Sequence, residues 1–221
     1  MTGWVHNTQS YMNRKHIITI SGRPGSGKSS TSDRVAELLG YTRYSSGDLV
    51  RNITKERKIT LAAFNELAEK TPSVDHSIDE ELRKLRDQND IVIDSRLGFY
   101  WIPESFKVYL DLSADVAIAR IYTDANLNTS RSGSGEGTKS MDDVIDQVNA
   151  RVQNEKRRFK RNYNINPYAT ENFDLIVDTA RHSPQTVALT VFDSYKKWLV
   201  SESWKQVISK VPLRYSLKNK Y

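Results

Sequence analysis

The sequence predicts an α/β protein, a three-layer α/β/α arrangement on a five-stranded parallel sheet. Two observations predict it. Short, β-branched apolar runs alternate with segments of helical period, and the runs are apolar throughout, as strands covered on both faces require. A glycine-rich turn joins the first run to the first helical segment, the junction at which such sheets place their ligands. The 221 residues suit one core, with room for a small insert.

The elements follow in order. Ile17-Ile18-Thr19-Ile20, ending at Gly22, reads as a buried strand. Ser29 to Leu39 carries Val35, Leu38 and Leu39 at helical spacing and stops at Gly40. Tyr41 to Tyr44 is a second strand and leads into Ser45-Ser46-Gly47-Asp48. Helical stretches around Leu61 to Glu69 and Ile78 to Leu85 are separated by Pro72. Ile91-Val92-Ile93 before Asp94 is a third strand, and Phe106 to Leu112 a fourth. Ser113 is placed to cap a helix through Ala117, Ile118 and Ile121. Asn126 to Ser140 contains Ser132-Gly133-Ser134-Gly135 and Gly137, a polar stretch with the composition of a mobile insert. Ser140 with Asp143 forms a capping-box pattern opening a long charged helix to Asn162. Leu175-Ile176-Val177 is the fifth strand, and Ser183-Pro184 starts a closing helix with Val187, Val191, Trp198 and Leu199 on its apolar side.

Composition excludes several classes. Mean hydropathy is −0.62 and no apolar run approaches twenty residues, so no membrane-spanning helix is expected. Met1 to His16 has no apolar core of the kind a secretory signal carries. With no cysteine there are no disulfides, thiolate metal sites or cysteine nucleophiles, and a cytoplasmic location is expected. His6, His16, His76 and His182 are scattered, without metal spacing or a Ser/His/Asp arrangement. The net charge of +6 resides wholly from Lys196 onward, where seven cations face the single anion Glu202. That basic tail, residues 201–221, reads first as a solvated extension and second as a contact for nucleic acid through Trp204, Tyr215 and Tyr221.

Gly22-Arg23-Pro24-Gly25-Ser26-Gly27-Lys28-Ser29 fits G-x-x-x-x-G-K-[ST] at every fixed position, between a strand and a helix as that motif demands. Its glycines allow amides to ring a polyphosphate, and the helix N-terminus adds a positive end. Lys28 is expected to reach the β- and γ-phosphates of ATP, Ser29 to ligate Mg²⁺, and Ser30 to complete the binding turn. Asp94, ending the third strand, is a second Mg²⁺ candidate, directly or through water; its other reading is a strand-end residue. This is the signature of a P-loop nucleoside triphosphatase fold.

A further set of residues narrows the acceptor. Ser46-Gly47-Asp48-x-x-Arg51 follows the second strand, Asp94-Ser95-Arg96 the third, and Arg151-x-x-x-Glu155-x-x-Arg158 lies on the charged helix. Here the sequence resembles the nucleoside monophosphate kinases, most closely the short, archaeal-type cytidylate kinases, from about Ile17 to Thr179. The resemblance implies an N-terminal extension over 1–16 and a kinase domain over 17–200. Within it a helical monophosphate-binding segment spans about 46–90 and a mobile lid about 124–162. It implies that Ser46, Gly47, Arg51 and Arg96 hold the acceptor, with Glu155 orienting arginines or touching it. Arg151 and Arg158 would be lid arginines on the transferring phosphoryl, and Arg120 a weaker nucleotide contact. Asp75 has only its position to recommend it. Two departures stand out: Ser95 replaces the glycine of Asp-Gly-Arg, and Leu97 stands where longer bacterial forms have a base-reading aspartate.

The chemistry agrees with that set. Phosphoryl transfer relies on positioning and cationic stabilisation, and guanidinium forks suit phosphate oxygens. Arg151 and Arg158 are two turns apart, on one helix face with Glu155. Taken without the phosphate loop, the same trio reads as a salt-bridged surface helix, and Arg51 and Arg96 as surface cations. Asp48 is expected to cap the helix after it, and Tyr100 and Trp101 are either base-stacking or core aromatics. The leading expectation is ATP-dependent phosphorylation of CMP or dCMP by a monomer. The alternatives are another monophosphate or a small alcohol, as in shikimate-type kinases, and an RNA-associated nucleotide-binding protein.

Overall fold

In the computed structural model, residues 14–71, 73–127 and 140–209 are described. The expected insert at Ser132 to Gly137, Tyr215, Tyr221 and most of the N-terminal extension lie outside them. Six parallel strands form one sheet in the order β2-β3-β1-β4-β5-β6: β1 Ile17–Gly22, β2 Thr42–Ser45, β3 Ile91–Asp94, β4 Phe106–Asp111, β5 Leu175–Asp178 and β6 Val207–Ser209. The five expected strands are present. The sixth corrects the expectation of five and lies in the segment read as tail.

β1 is central and wholly buried, and its alternate residues supply both faces. Ile18 and Ile20 join Val92, Val108, Leu110 and Val177 beneath α1 (Lys28–Leu39) and α8 (Pro184–Val200), while Ile17 joins Ile91 and Ile93 against α4 (Ser73–Leu85). On that second face, farther along the sheet, Tyr109 and Ile176 pack with Val152 and Phe159 of α7 (Met141–Tyr163) and with Leu97 and Tyr168. Helices on both faces of an all-parallel sheet are what fully apolar strands imply.

Two predicted helix starts carry side-chain caps. Ser140 and Asp143 form the reciprocal capping box of α7, and Ser183 accepts from the Thr186 amide at the start of α8. Between β2 and β3 stand three helices: α2 (Ser46–Arg57), α3 (Leu61–Lys70) and α4. Sequence periodicity missed α2 because it buries no residue completely. Its cap is Ser45, which accepts from the Asp48 amide, so Asp48 occupies the first turn and does not itself cap. The short α5 (Gly98–Trp101) follows β3, and α6 (Ala114–Leu127) follows β4, with the Ser113 carbonyl accepting from Ala117.

Residues 201–209 pack onto the folded domain, with Trp204 partly buried against the core. The Trp204 ring packs against Phe106 at 5.9 Å and its indole N–H donates to the Asp174 carbonyl at 3.1 Å. Gln206 donates to the carbonyls of Thr170 and Phe173. Trp204 is thereby committed to packing and is not presented for stacking on nucleic acid. Among the described residues no helix is long and apolar enough to cross a membrane.

Candidate active site

The loop from Gly22 to Ser29 leaves β1 and enters α1. Gly22 (φ +148°) and Gly25 (φ +76°) are required: a Cβ would meet the Leu110 carbonyl oxygen at 2.5 Å in the first case and that of Ala117 at 2.8 Å in the second. The N-cap of α1 is Gly27, which offers no side chain to the first-turn amides, and that turn carries no acidic residue. Amides left without an intrahelical partner beside a positive dipole end make an anion site. Ser26 Oγ is buried without a hydrogen-bond partner among the described residues, a further donor suited to an oxyanion. Gly25 to Ser30, with Arg120, Asp124, Thr179 and His182, line an open cavity of about 670 Å³. Arg120 donates to the Thr179 and Ala180 carbonyls at 2.5 and 3.0 Å, which holds the far wall of that cavity.

Arg23 and Pro24 form the outer limb of the loop, and the Arg23 carbonyl accepts from Lys28 Nζ at 3.1 Å. Desolvation, reinforced by the charges of Arg96 and Arg151, pulls the Lys28 ammonium pKa well below its usual value against the opposing pull of Asp94 and Glu155. A cation so placed gains from a polyphosphate.

Parallel pairing of β3 with β1 sets Asp94 beside Ile20, and the Ser29 hydroxyl donates to Asp94 Oδ2 at 2.7 Å. Two hard oxygen donors side by side fit Mg²⁺, which takes few protein ligands and completes its shell with phosphate and water. Arg43 of β2 also reaches Asp94 (3.4 Å), together with Asp33 and Asp48. Its position in an otherwise ordinary strand gave no signal in the sequence.

A second cavity, of about 150 Å³, opens between α2, α4 and α7. Its lining combines basic and small residues, Arg51, Arg96, Arg151 and Arg158 with Ser46 and Gly47. Phe64, Ile78, Leu82 and Phe159 line it as well, with the carboxylates of Asp75 and Asp79. All five acceptor candidates from the sequence line it. Tyr100 and Trp101 do not; Trp101 packs edge-on to Tyr163 and donates its indole N–H to Asp79 at 2.8 Å.

Arg96, on the wall of the smaller cavity, reaches the phosphate loop: its NH1 donates to the Gly22 carbonyl at 2.5 Å and its Nε donates to Glu155 at 2.8 Å. Arg151 reaches the other oxygen of Glu155 at 3.0 Å, and the Tyr168 hydroxyl donates to the first. Against the desolvation of its burial, the charges of Arg96 and Arg151 and the Tyr168 hydroxyl hold the Glu155 carboxyl well below the usual carboxylate range. Glu155 is therefore an ionised clamp.

Arg151 and Arg158 have different partners despite sharing a helix face. Arg151 turns to Glu155 and is among the charges acting on Lys28. Arg158, 7% exposed, pairs with Asp75 at 3.1 Å and keeps NH1 without a hydrogen-bond partner among the described residues. Burial raises the pKa values of Asp75 and Asp79, which are held by Asn162 and by Tyr163 and Trp101 respectively. Sequence reasoning had only a position for Asp75, and nothing for Tyr168, which lies in a loop without motif.

The profile of the cytidylate kinase-like family matches residues 17–181. The chain belongs to the cytidylate kinase-like family. Its relatives include the cytidylate kinase of Halobacterium salinarum, 35% identical over 181 residues covering 80% of this chain and 88% of that one. The cytidylate kinase of Methanothrix thermoacetophila is 35% identical over 165 residues, 75% of this chain and 89% of its own. Membership makes the chain a nucleoside monophosphate kinase. Among solved structures, shikimate kinase from Bacteroides thetaiotaomicron overlays with a TM-score of 0.54 at 12% identity, covering 81% of this chain and 98% of that one. That likeness is one of fold.

Proposed function

We propose that the kinase transfers the γ-phosphoryl of ATP to CMP or dCMP, giving ADP and the cytidine diphosphate. The observation that carries this reading is Arg96, which bonds the carbonyl of the first loop glycine while sharing Glu155 with Arg151. It ties a monophosphate-sized basic pocket to a triphosphate loop.

ATP occupies the larger cavity, its phosphates on the amides of Gly25 to Ser30 and on Lys28, with Arg120 at the nucleoside side. Ser29 and Asp94 would hold Mg²⁺, which would supply positive charge to offset that of the phosphates. Ser46, Gly47, Arg51 and Arg96 take the acceptor phosphate, and Arg151 faces the phosphoryl in transit. A monophosphate is already an anionic nucleophile, so arginines serve it better than a base; a neutral alcohol acceptor would call for a free carboxylate. The carboxylates here are engaged, Asp94 by Ser29 and Arg43 and Asp75 by Arg158. Cytosine is favoured by the Asp75–Arg158 pair, which offers an acceptor beside an unpartnered donor, the complement of an amino group beside a ring nitrogen. Uracil presents the reverse order. The acceptor-binding segment is about 46–90 and the lid about 124–162, in a monomer acting in the cytoplasm.

A panel of monophosphates with ATP and Mg²⁺, read as ADP formation, tests the reading. CMP and dCMP should turn over at least tenfold more efficiently than UMP or AMP. Silence with every monophosphate overturns it.

A further inference from the structure

We propose that Tyr168 is a positioning residue for phosphoryl transfer, acting through Glu155 to fix the Arg96 and Arg151 guanidinium groups against the phosphate loop. The inference rests on the proposed kinase reaction and adds a residue outside every motif. Glu155 Oε1 accepts from Arg151 Nε at 3.0 Å, while Oε2 accepts both from Arg96 Nε at 2.8 Å and from the Tyr168 hydroxyl. Both arginines thus spend Nε on one carboxylate, and its orientation dictates where their terminal nitrogens point. With Tyr168 removed, Oε2 would be held by Arg96 alone.

The tyrosine is itself held on three sides. Its ring is 7% exposed and packs in the cluster of Leu97, Tyr109 and Phe173. Its amide donates to Asn166 Oδ1 at 3.1 Å. Its face lies 5.4 Å from the Arg23 guanidinium of the phosphate loop and 5.9 Å from that of Arg96, within cation–π range. One side chain therefore touches the donor loop, an acceptor arginine and the carboxylate between the two arginines. A buried phenol–carboxylate bond is charge-assisted and directional, which is the property needed to hold a catalytic cation in register.

Tyr168→Phe keeps the ring in its cluster and removes only the hydroxyl. The expected result is a kcat about tenfold lower with KM for ATP changed less than twofold and an unchanged far-ultraviolet spectrum. A double-mutant cycle with Glu155→Gln separates positioning from packing, because the hydroxyl should lose its effect once its acceptor is neutral. Should Glu155→Gln not fold, Glu155→Asp takes its place, its shorter side chain drawing the carboxylate away from the hydroxyl. Affinity for inorganic tripolyphosphate, measured by calorimetry over the same four proteins, provides a second readout that needs no turnover. There the hydroxyl should be worth about threefold, again only in the Glu155 background. Wild-type turnover of CMP reports separately on the underlying reaction. Effects on kcat and on tripolyphosphate affinity that multiply across the cycle, or a Tyr168→Phe protein unchanged in both, would overturn the proposal.

Discussion

Lys28 sits beside two guanidinium groups, and its ammonium is destabilised by desolvation and by the charges of Arg96 and Arg151. A lysine whose pKa is lowered by folding contributes most stability above its ordinary pKa and progressively less as the pH falls through the lowered one. The charged side chain is therefore a cost to the fold and an asset only to a bound polyphosphate. Lys28→Met should abolish phosphoryl transfer, by at least about a thousandfold in kcat/KM, while leaving the melting temperature equal or higher. Paired turnover assays and thermal melts at pH 7 check both halves; a variant that keeps its activity removes Lys28 from the mechanism. The same contrast between stability and function applies to Arg158, whose NH1 is buried without a partner among the described residues. An unsatisfied donor of that kind costs about 1–3 kcal/mol. It is retained where something binds.

At the scale of elements, α7 does most of the organising. It carries Arg151, Glu155 and Arg158 on the face toward the acceptor cavity, and on its flank it grips α3 through Glu69. Glu69 accepts from Asn154 at 2.6 Å and from Arg157 at 3.2 Å, while Arg161 donates to its backbone carbonyl at 2.6 Å. This latch joins α3 to the helix that carries the arginines. The pair is part-exposed, so its contribution to stability should be under about 1 kcal/mol. Its contribution to function should be larger, since it joins two helices that both line the cavity, α3 through Phe64 and α7 through its arginines. Glu69→Ala is expected to raise KM for CMP about three- to tenfold with kcat changed less than twofold, because the Arg161–backbone bond survives the substitution. Initial-rate kinetics across a CMP series read this directly, and an unchanged KM would show that the latch does not shape the acceptor site. The element least visible from sequence, α2, belongs to this region as well. It lacks a buried apolar stripe because one side of it faces the cavity, so the periodicity that reveals packed helices was never there to read.

For the molecule as a whole, the boundary of the core falls later than charge patterning implies. Positive charge accumulates from Lys196, yet Trp204 and β6 close the sheet beyond β5. A chain ending at Val200 should lose on the order of 3 kcal/mol from the missing indole contact and strand pairing. A chain ending at Ser209 keeps the indole contact and the β6 pairing and should be the more stable of the two. Denaturant titration of both truncations tests where the domain ends. Truncation experiments aimed at nucleic-acid binding should be made after Ser209, since cutting at Val200 would confuse lost binding with lost folding. The reach of Arg96 from the smaller cavity to the phosphate loop is also a property of the whole sheet, arising because β3 lies parallel beside β1 and brings its C-terminal end to the loop that follows β1.

Sequence alone determined the features governed by neighbours along the chain. The phosphate loop is one, since its glycines, lysine and serine act within eight residues. The apolar strands and the capping box at Ser140 are others, because residue type and spacing carry them, while the candidate acceptor arginines came from the family resemblance. Tertiary structure alone decided which partners those arginines take. It sent Arg151 to Glu155 and Arg158 to Asp75, brought Tyr168 under the clamp, and drew Trp204 into the core. The reason is physical: a guanidinium reaches several ångströms in many directions, and only the packing of distant elements selects the carboxylate it meets.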